Sequence, residues 1–237
     1  MPGKIPSQKT PLWFYLIWPP LIFNLGSVLL ISAIYIAHYT DVPDRLGEYQ
    51  VPPATMEFAL GILIVALEWF FAGLLLYQYK RSGERIAALF SPTPRLLDFR
   101  LGPALLLFVL FNLIFAGYML RLLYTMPDLS LRSLNAWQSV LFILVVPLTA
   151  AVCEEIIWRG HILTALAVRG YRAFTANLIS AVSFALIHGV FFPEKLATTF
   201  LIGLLGGAYY QRQKALLPLI FTHWIVDMWS YLVLFFR

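Results

Sequence analysis

Long, unbroken apolar runs decide what this chain can fold into. A helix needs about 20 apolar residues to cross the hydrocarbon of a bilayer. Seven stretches approach or exceed that length: roughly 12–38, 57–79, 101–124, 136–158, 174–192, 196–211 and 216–236. The runs are continuous rather than alternating, so they predict helices and not a β-barrel. Charged residues make up only 12% of the chain, against about 25% in a soluble domain. The expected fold is all-α, a polytopic transmembrane helical bundle of about seven spans. Residues 1–237 then form a single integral membrane domain: 1–135 supplies generic N-terminal spans, and 136–237 holds the unusual polar residues. No soluble domain remains once the spans are removed. The first run carries Pro19-Pro20, which predicts a kinked or interfacial start. The sixth is short, and is expected to be tilted or partly buried in protein. No cleavable signal peptide is expected, because the first run is long and lacks a small-residue cleavage site.

The loops predict orientation. With the N-terminus cytoplasmic, most Lys and Arg fall inside, including Lys80, Arg81, Arg85, Arg95, Arg100, Arg169 and Arg172, whereas Asp41, Asp44 and Glu48 fall outside. That is the positive-inside bias, and an odd span count puts the C-terminus outside. The net charge of +5 is thus read as loop bias, with the bilayer as partner and no nucleic acid. The 80–100 connection, with Pro92 and Pro94, is expected to hold an interfacial helix. The one cysteine, Cys153, excludes an internal disulfide framework and a Cys-based zinc site. Gly203, Gly206 and Gly207 line span six, where small residues let helices approach closely. They serve either packing inside the bundle or a dimer face, which leaves the oligomeric state open.

Against this apolar background stands Glu154-Glu155, followed by Arg159. A charge at mid-bilayer costs roughly 2.5–3.5 kcal/mol on the lenient insertion scales, so such residues persist when they pair, face a cavity or do chemistry. Glu155 and Arg159 stand i,i+4 in the favourable order for a helical ion pair. Glu154, rotated by about 100°, is expected to point elsewhere, without a local partner. A desolvated glutamate of that kind suits a general base. The alternative is a structural charge cluster at the cytoplasmic end of span four. In span five, Phe184 and His188 share a face; His188 is either part of a polar site or a packed residue bonded to backbone. In span seven, His223 and Asp227 are again i,i+4. Asp227 orients His223, or both point at a substrate oxygen, or they form a purely internal pair. The other histidines, His38 and His161, sit at predicted span ends.

Three spaced motifs now stand in order: Glu154-Glu155-x-x-x-Arg159, Phe184-x-x-x-His188 and His223-x-x-x-Asp227. Together they resemble the CAAX protease and bacteriocin-processing family of glutamic-type intramembrane proteases, over about residues 136–236. The resemblance implies an intramembrane endopeptidase acting on a membrane-associated protein or peptide, in which Glu154 activates a water with His188 as its partner. It further implies that His223 and residue 227 stabilise the oxyanion, and that Glu155 and Arg159 support Glu154, or that Arg159 engages a substrate end. The prenyl-protein branch carries Asn at the last motif position, where this chain has Asp227. Ionised Asp cannot donate to an oxyanion, so Asp227 is either protonated or serves to orient and charge His223, the second being favoured. Prenylated tails are mainly a eukaryotic and archaeal need; a chain of this size fits a prokaryotic cytoplasmic membrane at least as well.

Rival readings follow from the same residues. His188, His223 and one glutamate form a conceivable His₂Glu zinc set, although HExxH is absent; the resemblance favours a site without a cofactor. A non-enzymatic immunity or scaffold protein is a second rival, and a proton-relaying transporter a third. Helical rise poses a further condition. It puts Glu154 and His223 in the cytoplasmic half of their spans, but His188 in the outer half if span five begins near 174. A common depth then calls for span five to begin deeper, with 160–175 folded into the membrane as a re-entrant loop.

Overall fold

The computed structural model describes residues 11–39, 53–83, 100–125, 134–190 and 193–236. Among them the chain is helical, without strands. The helices are α1 Leu12–Tyr39, α2 Pro53–Ser82, α3 Leu101–Thr125, α4 Ala136–Val168, α5 Ala173–Ile187, α6 Pro193–Gln213 and α7 Leu217–Phe236. The seven apolar runs therefore all become helices. Three stretches are long and apolar enough to cross a membrane, Gly61–Ser82, Leu101–Arg121 and Ala136–Val168; Leu12–Gly26, Ala173–Ile187 and Leu217–Val233 are shorter apolar helices. The expected interfacial helix of the 80–100 connection, and the acidic residues Asp41, Asp44 and Glu48, lie outside the described residues.

One apolar core runs through the bundle, with Tyr15, Phe71, Leu75, Phe111, Trp158, Leu166, Phe184 and Leu219 among its buried members. Large apolar side chains also face outward, including Trp13, Phe70, Leu105, Leu113 and Phe174. A surface of that kind suits lipid rather than water. The protein is an integral membrane protein.

Two proline sites shape local structure. Pro19 and Pro20 lie inside α1 without ending it. Pro20 has no N–H, so the Leu16 carbonyl one turn back loses its helical partner. The Ser183 hydroxyl of α5 donates to that carbonyl at 2.9 Å, and the Trp158 indole N–H of α4 donates to Ser183 at 3.1 Å. The freed carbonyl thus becomes part of a three-helix junction, in the way membrane helices commonly satisfy proline-freed carbonyls. In α4, Pro147 stands two residues after a π-helical stretch, Leu141–Val145, and a second one covers Glu155–Leu163. Wide turns of this kind recur at functional sites.

Span four was expected to end at 158, but α4 continues to Val168. The continuation removes the depth conflict and the expected re-entrant loop. Chain reversal occurs at 169–172, where Gly170 takes φ +84°. Glu154 lies fourteen residues before Val168, and His188 fifteen after Ala173, so the two arms of the hairpin bring them level. His161 correspondingly sits inside the bundle rather than at a span end. It is fully buried, its Nδ1 3.0 Å from the Tyr79 hydroxyl.

Candidate active site

The first motif is fixed by charge pairing within α4. Glu155 and Arg159 are almost completely buried and meet at 3.0 Å. Such a pair is retained only if its surroundings complete it. The Phe184 ring lies 4.0 Å from the Arg159 guanidinium. On the other side α6 makes room with Gly206, where an added Cβ would stand 3.1 Å from Arg159 Nη2. Glu155 Oε1 also lies 3.0 Å from His223 Nδ1. An ionised carboxylate only accepts, so Nδ1 carries a proton and α7 is tied to α4.

The second motif is explained by how α5 ends. His188 caps the helix, and its backbone N–H turns to Ala185 rather than Phe184. The orphaned Phe184 carbonyl is met instead by His188 Nδ1 at 3.0 Å. A carbonyl only accepts, so Nδ1–H is the donor and, in the neutral ring, Nε2 keeps its lone pair. Gly189 follows at φ +104°, the left-handed turn that glycine supplies after a helix end. Asn24 of α1 clamps this turn from outside. It donates to the Leu186 carbonyl at 2.6 Å and accepts from the Val190 amide at 3.0 Å. The Phe184 ring meanwhile packs beside both imidazoles, 4.9 Å from His188 and 6.0 Å from His223.

The three motifs converge. Glu154 Oε2 is 3.8 Å from His188 Nε2 and 3.7 Å from His223 Nε2; Asp227 Oδ2 is 3.3 Å from the same His223 nitrogen. Glu154 was expected to point away from the partners of Glu155. It flanks the same imidazole instead, Glu155 at Nδ1 and Glu154 at Nε2. Glu154 Oε2 is buried and makes no hydrogen bond among the described residues. Glu154, His188, His223 and Asp227 all line one cavity of about 340 Å³, whose walls include Phe111, Phe115, Met119, Ile187 and Ile202. Glu155 and Arg159 stand behind it.

Two charged residues that the motifs do not include line the same cavity, Glu68 of α2 and Lys195 of α6. Glu68 left a signal in the sequence. It is an acidic residue in the middle of the apolar run 57–79, and an ionisable residue at membrane depth is a functional candidate by default. Asn24 left no comparable signal, because its role depends on where α5 ends.

Carboxylates and imidazoles thus gather in one cavity of a bundle in which three helices are long and apolar enough to cross a membrane. Residues 136–229, the stretch that carries all three motifs, fit the family model for Rce1-like proteins, described as type II CAAX prenyl endopeptidase Rce1-like. The match agrees with the family resemblance that the three motifs carry. No curated protein and no solved structure matches the chain.

Proposed function

We propose that this protein is an intramembrane endopeptidase that cleaves a membrane-associated protein with a water activated by Glu154. One observation carries the reading: Glu154 Oε2, without a hydrogen bond among the described residues, faces His188 Nε2 at 3.8 Å inside the shared cavity. A water about 2.8 Å from each atom fits beside that pair. Glu154 accepts one of its protons, and His188 Nε2 accepts the hydrogen bond of the other. The water oxygen is left to attack a substrate carbonyl. Attack forms the C–O bond, moves a proton to Glu154 and leaves an oxyanion. Glu154 then gives that proton to the leaving nitrogen as the C–N bond breaks, which restores the carboxylate.

His223 is the oxyanion donor in this scheme. Carboxylate oxygens flank both its ring nitrogens, an environment that accommodates an imidazolium. Its Nε2–H, directed at Asp227 in the free protein, is shared with the oxyanion as it forms, a contribution of up to about 3–4 kcal/mol for such donors. Asp227 orients and charges His223 rather than donating, and Glu155 with Arg159 holds the imidazole from behind. Seven crossings with a cytoplasmic N-terminus, and catalysis without a metal, belong to the same proposal.

The test compares membrane proteomes of cells carrying the wild-type chain with cells carrying Glu154→Ala or His188→Ala at equal protein level. New N- or C-termini should appear only with wild type, and should persist after treatment with a membrane-permeant zinc chelator. Termini that persist with either variant remove that residue from the chemistry. Identical termini in all cells favour an immunity or scaffold role, and loss on chelation favours a zinc enzyme.

A further inference from the structure

Glu68 is one of two charged groups at the cavity, with Lys195, that the proposed chemistry does not use. It lies in a run of apolar residues, Val65-Ala66-Leu67 before it and Trp69-Phe70-Phe71 after it. It is only 4% exposed, and its Oε2 has no hydrogen-bond partner among the described residues. A buried acceptor left without a donor costs about 1–3 kcal/mol, more when charged. The helix that carries it packs against the Val146–Glu154 part of α4, and Glu68 lines the same cavity as Glu154, His188, His223 and Asp227. The neighbouring residues that α2 gives to this wall are Leu63, Ile64 and Leu67, none of which can hydrogen-bond through its side chain. One wall of the cavity thus holds a single acidic side chain set among hydrocarbon.

A peptide strand drawn into such a cavity loses the water on its backbone N–H groups, and each needs an acceptor there. We propose that Glu68 is a substrate-binding residue whose carboxylate accepts a backbone N–H of the peptide flanking the scissile bond. This rests on the endopeptidase reading above. The oxygen gains the partner it lacks among the described residues, and the strand gains a fixed register against Glu154. Because α2 lies outside residues 136–229, this chain recruits part of its substrate site from beyond the segment that the family model matches.

The test uses the full chain in cells, with membrane-proteome termini as the probe. Wild type, Glu68→Gln, Glu68→Leu and Glu154→Ala are compared at matched protein level, with melting temperature measured in detergent. Glutamine keeps an acceptor oxygen and nearly the same shape; leucine keeps only bulk. The expected result is a loss of at least about tenfold in termini for Glu68→Leu, the value of one hydrogen bond. Glu68→Gln should retain yield within about threefold and leave the cleavage positions unchanged. Equal yields from wild type and Glu68→Leu overturn the proposal. So does an equal loss in both variants, which assigns Glu68 a role that needs its charge or proton. A Gln variant that loses only sites next to Lys or Arg also overturns it, in favour of a counter-charge for basic side chains. A loss matched by a lower melting temperature assigns Glu68 to stability alone. Termini that survive in Glu154→Ala strike the endopeptidase reading itself, whatever Glu68 does.

Discussion

His223 is held by four neighbours of different kinds: Glu155 at Nδ1, Glu154 and Asp227 at Nε2, and the Phe184 ring at its side. The Asp227 contact separates two roles for the last motif position. A carboxylate there stabilises a charged ring, whereas an amide can both accept from the ring and donate to an oxyanion. Asp227→Asn is therefore expected to retain part of the cleavage activity, read as termini in the membrane proteome at matched protein level. A folded but inactive variant would make the carboxylate obligatory. Glu155 and Arg159 act one layer further back. Removing one partner of a buried pair leaves the other uncompensated, typically at about 3–5 kcal/mol, so their weight falls on fold and site together.

At the scale of the helices, the spacings of the motifs follow from how each element ends or packs. The four-residue step from Phe184 to His188 is a helix terminus, in which the side chain replaces a lost backbone donor on its own carbonyl. The glycines of α6 face inward. Gly203 lies against Ala181 and Phe184, Gly206 against Arg159 and Leu219, and Gly207 against the Asn177 side chain, whose amide donates to the Leu204 carbonyl at 2.9 Å. The GxxxG spacing thus serves contact between α5 and α6 within the bundle. Gly207→Ala would place a methyl group where the Asn177 carboxamide sits. It is expected to destabilise the protein by about 1–3 kcal/mol, measured as a lower melting temperature in detergent. An unchanged melting point would mean that Asn177 moves aside without loss.

Across the whole molecule, the first three helices do more than fill the membrane. Leu16 receives the hydrogen bond of Ser183, Asn24 clamps the turn that carries His188, and Glu68 lines the cavity. The segment that carries all three motifs should therefore fail by itself. Residues 134–237 expressed alone are expected to give no cleavage, and co-expression with residues 1–133 as a separate chain should restore part of it. Activity from the shorter piece alone would show that α1–α3 are dispensable to the site.

Much of this organisation was legible in the sequence. Apolar run length placed all seven helices, with the end of α4 the largest miss, ten residues beyond the expected 158, because a helix in lipid must satisfy its backbone internally and so needs a continuous stretch. Charges inside those runs marked Glu154, Glu155, Arg159, His188, His223 and Asp227, because their cost at membrane depth leaves few reasons to keep them. The same rule applied to Glu68, which has no spaced partner to draw attention to it. What the sequence left open was depth and direction. After Trp158 the apolar run gives way to Arg159, Gly160 and His161, yet α4 continues to Val168, so the level meeting of Glu154 and His188 emerged only when the hairpin closed. That Glu154 and Glu155 flank one ring, and that Asn24 holds the His188 turn, depend on which helix lies beside which. Those are properties of packing between distant segments, and local spacing does not encode them.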